Sequence, residues 1–181
     1  QGSVMIGDQP LPFASPKAAI ESGIGRIPED RMTTGLILDL TVEENLALEN
    51  HTKFKKGWTI DYRALRRHAE KLIEDFSIKT AGPGAIARTL SGGNLQKIIL
   101  ARVLSASPRI IVAAQPTRGL DVGAAEYVHR RILEARDAGS AVLLISEDLD
   151  EIFMLSDRIA VMFEGVIMGM VGRREASIEQ I

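Results

Sequence analysis

Two stretches of this chain, Ile110-Ile111-Val112-Ala113-Ala114 and Ala141-Val142-Leu143-Leu144-Ile145, carry no polar side chain at all. A strand of that kind has no face for water, so it must be covered on both sides, as in parallel sheets flanked by helices. The sequence between them supplies a cover. Val122, Ala125, Val128, Ile132 and Leu133 recur at helical spacing and predict a helix over 121–138 with these residues on its buried side. A short helix near 149–155 and a strand at 158–163 follow. Glu164-Gly165 then turns the chain into 166–170, predicted as an antiparallel hairpin at the sheet edge. Met154, Met162, Met168 and Met170 read as core filler. The class is α/β.

The first half is punctuated more heavily. Residues 4–6 predict a short strand before the turn-rich Gly7-Asp8-Gln9-Pro10. Ser15-Pro16 opens a short helix to Ile20, closed by Gly23, and 24–27 predict a strand halted by Pro28. Thr41-Val42-Glu43-Glu44 is a capping box, which predicts a helix over 42–50. Residues 51–60, with Trp58, read as a loop. After Asp61, the stripe Leu65, Ala69, Leu72, Ile73 and Phe76 marks one apolar face of a second helix, and Gly82-Pro83-Gly84 reads as a flexible joint.

Composition removes several kinds of chemistry. Twenty-two Lys and Arg stand against 24 Asp and Glu, a net charge of −2, so there is no basic field and no nucleic-acid partner is expected. Without cysteine there is no disulfide framework, thiolate metal site or Cys nucleophile. His51, His68 and His129 lack ligand spacing, so no metal site is expected. The apolar runs fall well short of the roughly 20 residues of a membrane-spanning helix, and the first residues show no signal-peptide pattern. A soluble domain is expected. Gln1 is not an initiator, so the chain reads as an internal piece of a longer protein, with Gln1-Gly2-Ser3 set aside as a remnant of tag cleavage.

The strongest local signal is Leu90-Ser91-Gly92-Gly93-Asn94-Leu95-Gln96, which opens a helix predicted over 92–106. Ser91 is a good cap, and two glycines leave the first turn without side chains. Bare amides at a helix start, with the helix dipole behind them, form an anion site. The Ser91 hydroxyl can add a hydrogen bond to a phosphate oxygen. Taken alone, these residues equally describe a capped helix after a loop.

They do not stand alone. Ser91-Gly92-Gly93 resembles the signature sequence of the ATP-binding cassette (ABC) family. Ile110 through Thr117 falls in the place of that family's second nucleotide motif, and Arg118-Gly119-Leu120-Asp121 resembles the loop that joins two cassettes in a dimer. Ile145-Ser146-Glu147-Asp148 occupies the family's switch position. Gly25-Arg26-Ile27-Pro28-Glu29-Asp30-Arg31 is similar to the Pro-Glu-Asp-Arg segment of the second cassette in bacterial sugar and nucleoside importers, whose subunits carry two tandem cassettes. The run from Ala113 to Asp121 is most similar to the nucleoside branch. The resemblance implies a partial ABC ATPase (RecA-like) core with a mainly parallel sheet plus a helical subdomain. Its divisions are a truncated core segment at 1–40 with the Pro-Glu-Asp-Arg loop, a helical signature subdomain at 41–107, and the C-terminal core at 108–181.

Two departures limit what it implies. No P-loop of the form G-x-x-x-x-G-K-[ST] occurs, and by resemblance it belongs upstream of Gln1. The family's strand-end Asp and Glu, which hold Mg²⁺ and polarise the attacking water, are here Ala114 and Gln115, and its switch histidine is Glu147. A methyl group cannot ligate a hard cation, and an amide cannot accept a proton as a carboxylate does. The expected hydrolytic site of this cassette is therefore degenerate. Its signature is expected to work in trans, with Ser91, Gly92, Gly93 and Gln96 completing an ATP site whose P-loop and catalytic carboxylate lie on the first cassette. Asp121 is expected as both a helix cap and a dimer contact, and Glu29 in the nucleotide-sensing loop that touches the permease. Glu147, Asp148, Asp150 and Glu151 are expected to favour a helix start.

By resemblance, the full protein uses ATP and Mg²⁺ at the cytoplasmic face of the cell membrane with permease subunits. No cofactor is expected on the isolated chain, and no hydrolysis. A regulatory cassette without nucleotide contact, and a soluble ABC protein of DNA repair or translation, are the alternatives.

Overall fold

A computed structural model describes residues 4–11 and 15–177. Strands β1 (Met5–Ile6) and β2 (Gln9–Pro10) form an antiparallel hairpin. Gly7 turns it at φ +59°, so half of the predicted turn is strand. Ser15 Oγ accepts the Ala18 N–H to start α1 (Pro16–Glu21), and Gly23, at φ +82°, redirects the chain into β3 (Ile24–Ile27).

Beyond β3, the Asp30 carboxylate organises a five-residue π-helical turn, Arg31–Gly35. It accepts the amides of Met32 and Thr33 and the Thr33 hydroxyl, and these bonds hold it below the usual carboxylate range. At Gly35 a Cβ would lie 2.7 Å from Ile99 Cδ1, so a larger residue would have to displace that side chain.

The capping box forms as predicted. The Thr41 hydroxyl accepts the Glu44 amide while Glu44 Oε2 accepts the Thr41 amide. The helix it starts, α2 (Val42–Ala47), is shorter than expected. The segment read as a loop contains a 3-10 turn (His51–Phe54) and a hairpin, β4 (Lys55–Lys56) with β5 (Thr59–Ile60). Helix α3 (Tyr62–Asp75), capped by Asp61, buries Leu65, Ala69 and Leu72 as its stripe requires. The predicted joint at 82–84 is tied down instead: the amides of Val42 and Glu43, left free at a helix start, donate to Ala85 and Pro83 carbonyls, each at 2.9 Å.

Helix α4 (Gly92–Leu104) runs through the centre, with Ile98, Ile99 and Leu100 fully buried. Around it follow β6 (Ile110–Ala114), α5 (Val122–Asp137), β7 (Ala141–Ile145), α6 (Leu149–Leu155), β8 (Arg158–Phe163) and β9 (Val166–Gly172). The parallel sheet has the order β3-β6-β7, with Ile27 opposite Ala113 and Ala113 opposite Leu144. One core cluster joins β3, α2, α3, α4, β6 and α5: Ile27, Leu46, Leu72, Ile99, Ile111 and Val128 belong to it.

Several expectations need correction. The β8–β9 hairpin makes its own two-stranded sheet and is not hydrogen-bonded to the parallel one. Met154, Met162, Met168 and Met170 are exposed, so they fill no core within the described residues. Val122 is 76% exposed, because the buried face of α5 begins nearly two turns later, at Val128 and Ile132. Among the described residues, strand β7 is covered on one face alone: Val142 and Leu144 pack on the core, while Leu143 and Ile145 are exposed.

Candidate functional site

Ser91 precedes α4 with the extended dihedrals of a helix cap, yet its hydroxyl caps no backbone amide. Its Oγ accepts from the Asn94 side-chain amide at 2.9 Å, and Asn94 Oδ1 accepts the Lys79 N–H at 2.8 Å. Asn94 thus occupies the oxygen that would ordinarily satisfy a first-turn amide. The N–H groups of Gly92, Gly93 and Asn94 lie where no intrahelical carbonyl can reach them. As an acceptor from Asn94, the Ser91 hydroxyl keeps its own hydrogen to donate. Gly92 is exposed, and a Cβ there would meet nothing within 4 Å, so an anion reaches bare backbone. These donors fit a phosphate group. At Gly93 a Cβ would stand 3.3 Å from the Ala124 methyl, so glycine serves the approach of α4 to α5.

Gln96 is placed differently from the expectation. It is 2% exposed, and its amide donates to the Pro116 carbonyl at 2.7 Å inside its own chain. Asn94, not singled out from sequence, is the amide at the helix mouth; its spacing three residues from Ser91 was the available signal, since such pairs meet on one helix face. One turn further, Lys97 Nζ donates to the Ser77 carbonyl at 2.8 Å and lies 4.5 Å from the Tyr127 ring centroid. Burial first, then the charges of Lys79 and Arg130, hold its amine below the ordinary lysine range.

Strand β6 delivers Ala114 and Gln115 to its C-terminal end. Gln115 stands at φ +45°, a left-handed conformation that costs a side chain about 1–2 kcal/mol. Its N–H donates to the Ile145 carbonyl at 2.8 Å, and its Oε1 leans toward the Glu147 amide at 3.5 Å. The pair offers a methyl group and a neutral amide, and Glu147 is an exposed carboxylate beyond them. Mg²⁺, which prefers carboxylate oxygens, finds no matching donor set here. Among the described residues no three His, Cys, Asp or Glu side chains converge on one point.

The remaining candidates divide by burial. Asp121 Oδ1 caps α5 through the Ala124 amide at 2.9 Å and stays exposed. Asp148 Oδ1 starts α6 by accepting the amides of Asp150 and Glu151. Glu151 itself departs from its expected role. It is buried, and its Oε1 accepts from the Thr117 hydroxyl at 2.7 Å with His129 Nε2 at 2.9 Å. Nothing in a seven-residue helix separates Glu151 from Asp150 by pattern alone. Glu29 forms an ion pair with Arg118, and the Arg31 guanidinium donates to the Arg118 carbonyl, so the loops after β3 and β6 are joined.

Solved structures give this arrangement its class, an ATP-binding cassette fold. The chain matches the dimeric post-hydrolysis state of the ATP-binding cassette MJ0796 bound to ADP and Pi with a TM-score of 0.77 at 23% identity, over 97% of this chain and 75% of that one. It matches MJ1267, an ATP-binding cassette of an ABC transporter, with a TM-score of 0.75 at 26% identity, over 97% and 71%. The family model described as ABC transporter covers residues 1–118, and the chain belongs to the ABC transporter family.

Among curated relatives, it is 43% identical to the nucleoside import ATP-binding protein NupA of Lactococcus lactis, over 99% of this chain and 36% of that protein. It is 42% identical to the guanosine import ATP-binding protein NupO of Bacillus subtilis (99% and 36%). It is 45% identical to the glucose import ATP-binding protein TsgD13 of Haloferax volcanii (99% and 34%). The chain spans about a third of the length of these relatives.

Proposed function

We propose that this chain is the C-terminal part of the second ABC cassette in the ATP-binding subunit of a nucleoside or simple-sugar importer. Its α4 start completes, in trans, a nucleotide site held chiefly by the first cassette of the same polypeptide. Relatives that are import ATP-binding proteins for nucleosides, guanosine and glucose support this reading. The observation that carries the nucleotide role is the freed first turn of α4. Asn94 takes up the Ser91 oxygen, leaving the Gly92 and Gly93 amides for an anion. Ala114 and Gln115, by contrast, do not fit Mg²⁺, so donors and hydrolytic groups belong to different half-sites of a cassette pair.

ATP and Mg²⁺ are then bound by the full protein, with a P-loop upstream of Gln1. The uncovered side chains Leu143 and Ile145 on β7 support a further element packing on that face of the sheet. Residues 1–40, 41–107 and 108–181 act as a core segment, a signature subdomain and the C-terminal core. Asp121 contacts the opposite cassette, and Glu29 lies in the loop that meets the permease. Permease subunits hold the protein at the cytoplasmic face of the membrane; no helix among the described residues is long and apolar enough to cross it.

Replacing Ser91 by Arg in the full-length subunit tests this. The bulky cation blocks the helix mouth, and ATP turnover should fall by at least tenfold, whereas unchanged turnover overturns the trans role. Added to the isolated chain, ATP should shift the Tm little, since ligand stabilisation scales with affinity.

Ala114, Gln115 and Glu147 together favour one other reading, a regulatory cassette that never touches nucleotide. Crosslinking of full-length subunit with a photoreactive ATP analogue separates the two, because only the first places label near Ser91–Gly93.

A further inference from the structure

The loop between β6 and α5 is pinned from two sides. From α4, the buried Gln96 amide holds the Pro116 carbonyl at 2.7 Å. From α6, Glu151 Oε1 accepts the Thr117 hydroxyl at 2.7 Å, and His129 Nε2, on α5, lies 2.9 Å from the same oxygen. Three segments thus converge on one carboxylate atom. The Glu151 side chain is 1% exposed, and Oε2 has no hydrogen-bond partner among the described residues.

A buried carboxylate with one oxygen unsatisfied costs stability, and an apolar side chain of similar volume would serve packing better. What Glu151 supplies is register. It ties the helix after the Glu147 segment to the loop that carries Gln115 at one end and Asp121 at the other. Through Pro116 and Gln96 that loop is tied to the helix whose start bears Ser91-Gly92-Gly93. The connection is two hydrogen bonds between buried or half-buried groups joined through the Pro116–Thr117 peptide, the kind of element through which a displacement is passed on.

We propose that Glu151 is a positioning residue for ATP turnover, holding Thr117 so that α6 and the 115–121 loop, which Gln96 joins to the signature helix, move as one unit; this rests on the function proposed above. The test uses full-length subunit assembled with its permease partners. Thr117→Val removes the hydroxyl at nearly constant volume and should lower kcat about tenfold while KM for ATP stays within about twofold. Thr117→Ser should restore kcat. Glu151→Gln, whose amide oxygen still accepts from Thr117, should keep most of the rate, and Glu151→Leu should lose it. Adding Thr117→Val to Glu151→Leu should cost nothing beyond Glu151→Leu alone, because the bond that Thr117→Val removes is already gone.

A wild-type kcat for Thr117→Val, failure of Thr117→Ser to rescue, or additive losses in the double variant would overturn the proposal. Ser91→Arg in the same preparation separates the two levels. If it abolishes turnover while Thr117→Val does not, the positioning role alone is wrong. If Ser91→Arg leaves turnover intact, the trans site is wrong and the positioning role falls with it.

Discussion

Gln96 and Pro116 stand 20 positions apart, and the buried amide of the first donates to the carbonyl of the second at 2.7 Å. A proline carbonyl at the end of a strand has no ladder partner of its own, so α4 satisfies it from the side. That bond turns a side chain expected to meet nucleotide into a strut between the signature helix and the loop after β6.

Removing the strut should be costly. Gln96→Leu leaves the fully buried Pro116 with an unsatisfied carbonyl, and a buried acceptor without a donor costs about 1–3 kcal/mol. Urea unfolding of the chain should show that loss in the midpoint with an unchanged slope. A midpoint equal to wild type would show that the bond carries no net energy.

Arg102 is the second buried polar anchor on α4. Its guanidinium donates to the carbonyls of Gly35 (2.7 Å) and Asn45 (3.3 Å) and pairs with Glu49 at 3.0 Å. Burial lowers its affinity for the proton, and Glu49 offsets part of that. Arg102→Met should destabilise by about 3–5 kcal/mol, because Glu49 and two carbonyls lose their partner together. The double variant Arg102→Met, Glu49→Met should recover part of this in the same urea experiment.

Gln115 offers a gain. At φ +45° glycine has no steric penalty, and Gln115→Gly should stabilise the chain by about 0.5–1 kcal/mol after the added freedom of the unfolded state is subtracted. Calorimetry should record a higher Tm. A lower one would mean that the lean of its amide toward Glu147 outweighs the strain.

His68 sets a pH dependence. Burial, then Lys53 and Lys71, hold its imidazole below the ordinary value near 6.5, and its ring packs against Phe54 at 5.2 Å. The unfolded chain therefore takes up the proton first, so this contribution is present above about pH 6.5 and fades as pH falls through that range. Tm should decline between pH 7.5 and 5.5, and His68→Phe should flatten the decline. The carboxylates of Asp30, Glu44 and Asp61, all held below their usual range mainly by hydrogen bonds from Thr33, Thr41 and Ala64, lose their contribution only in more acid solution.

Local chemistry was legible wherever a few neighbouring residues decide the outcome. Thr41 with Glu44 made the capping box, Asp61 and Asp121 capped their helices, and Ser91-Gly92-Gly93 opened α4 with its amides exposed. Ile110–Ala114 and Ala141–Ile145 became adjacent parallel strands, because a run with no polar face has few other places to go. Less legible were features whose partners lie far along the chain. Val122, six residues before Val128, lies about 120° round the helix from it and faces solvent, and the glycines at 82 and 84 flank a proline carbonyl bonded to Glu43.

The sequence by itself determined the α/β class, the helix starts and the family resemblance, since each depends on residue type at short spacing. Only the tertiary structure decided that Gln96 turns inward, that Asn94 frees the helix mouth, and that Glu151 leaves its acidic neighbours to meet Thr117 and His129. Those outcomes depend on which distant group fills the one hydrogen-bonding vacancy within about 3 Å of a buried atom. No periodicity encodes that, because chain folding brings the two partners together after each has already settled its own local structure.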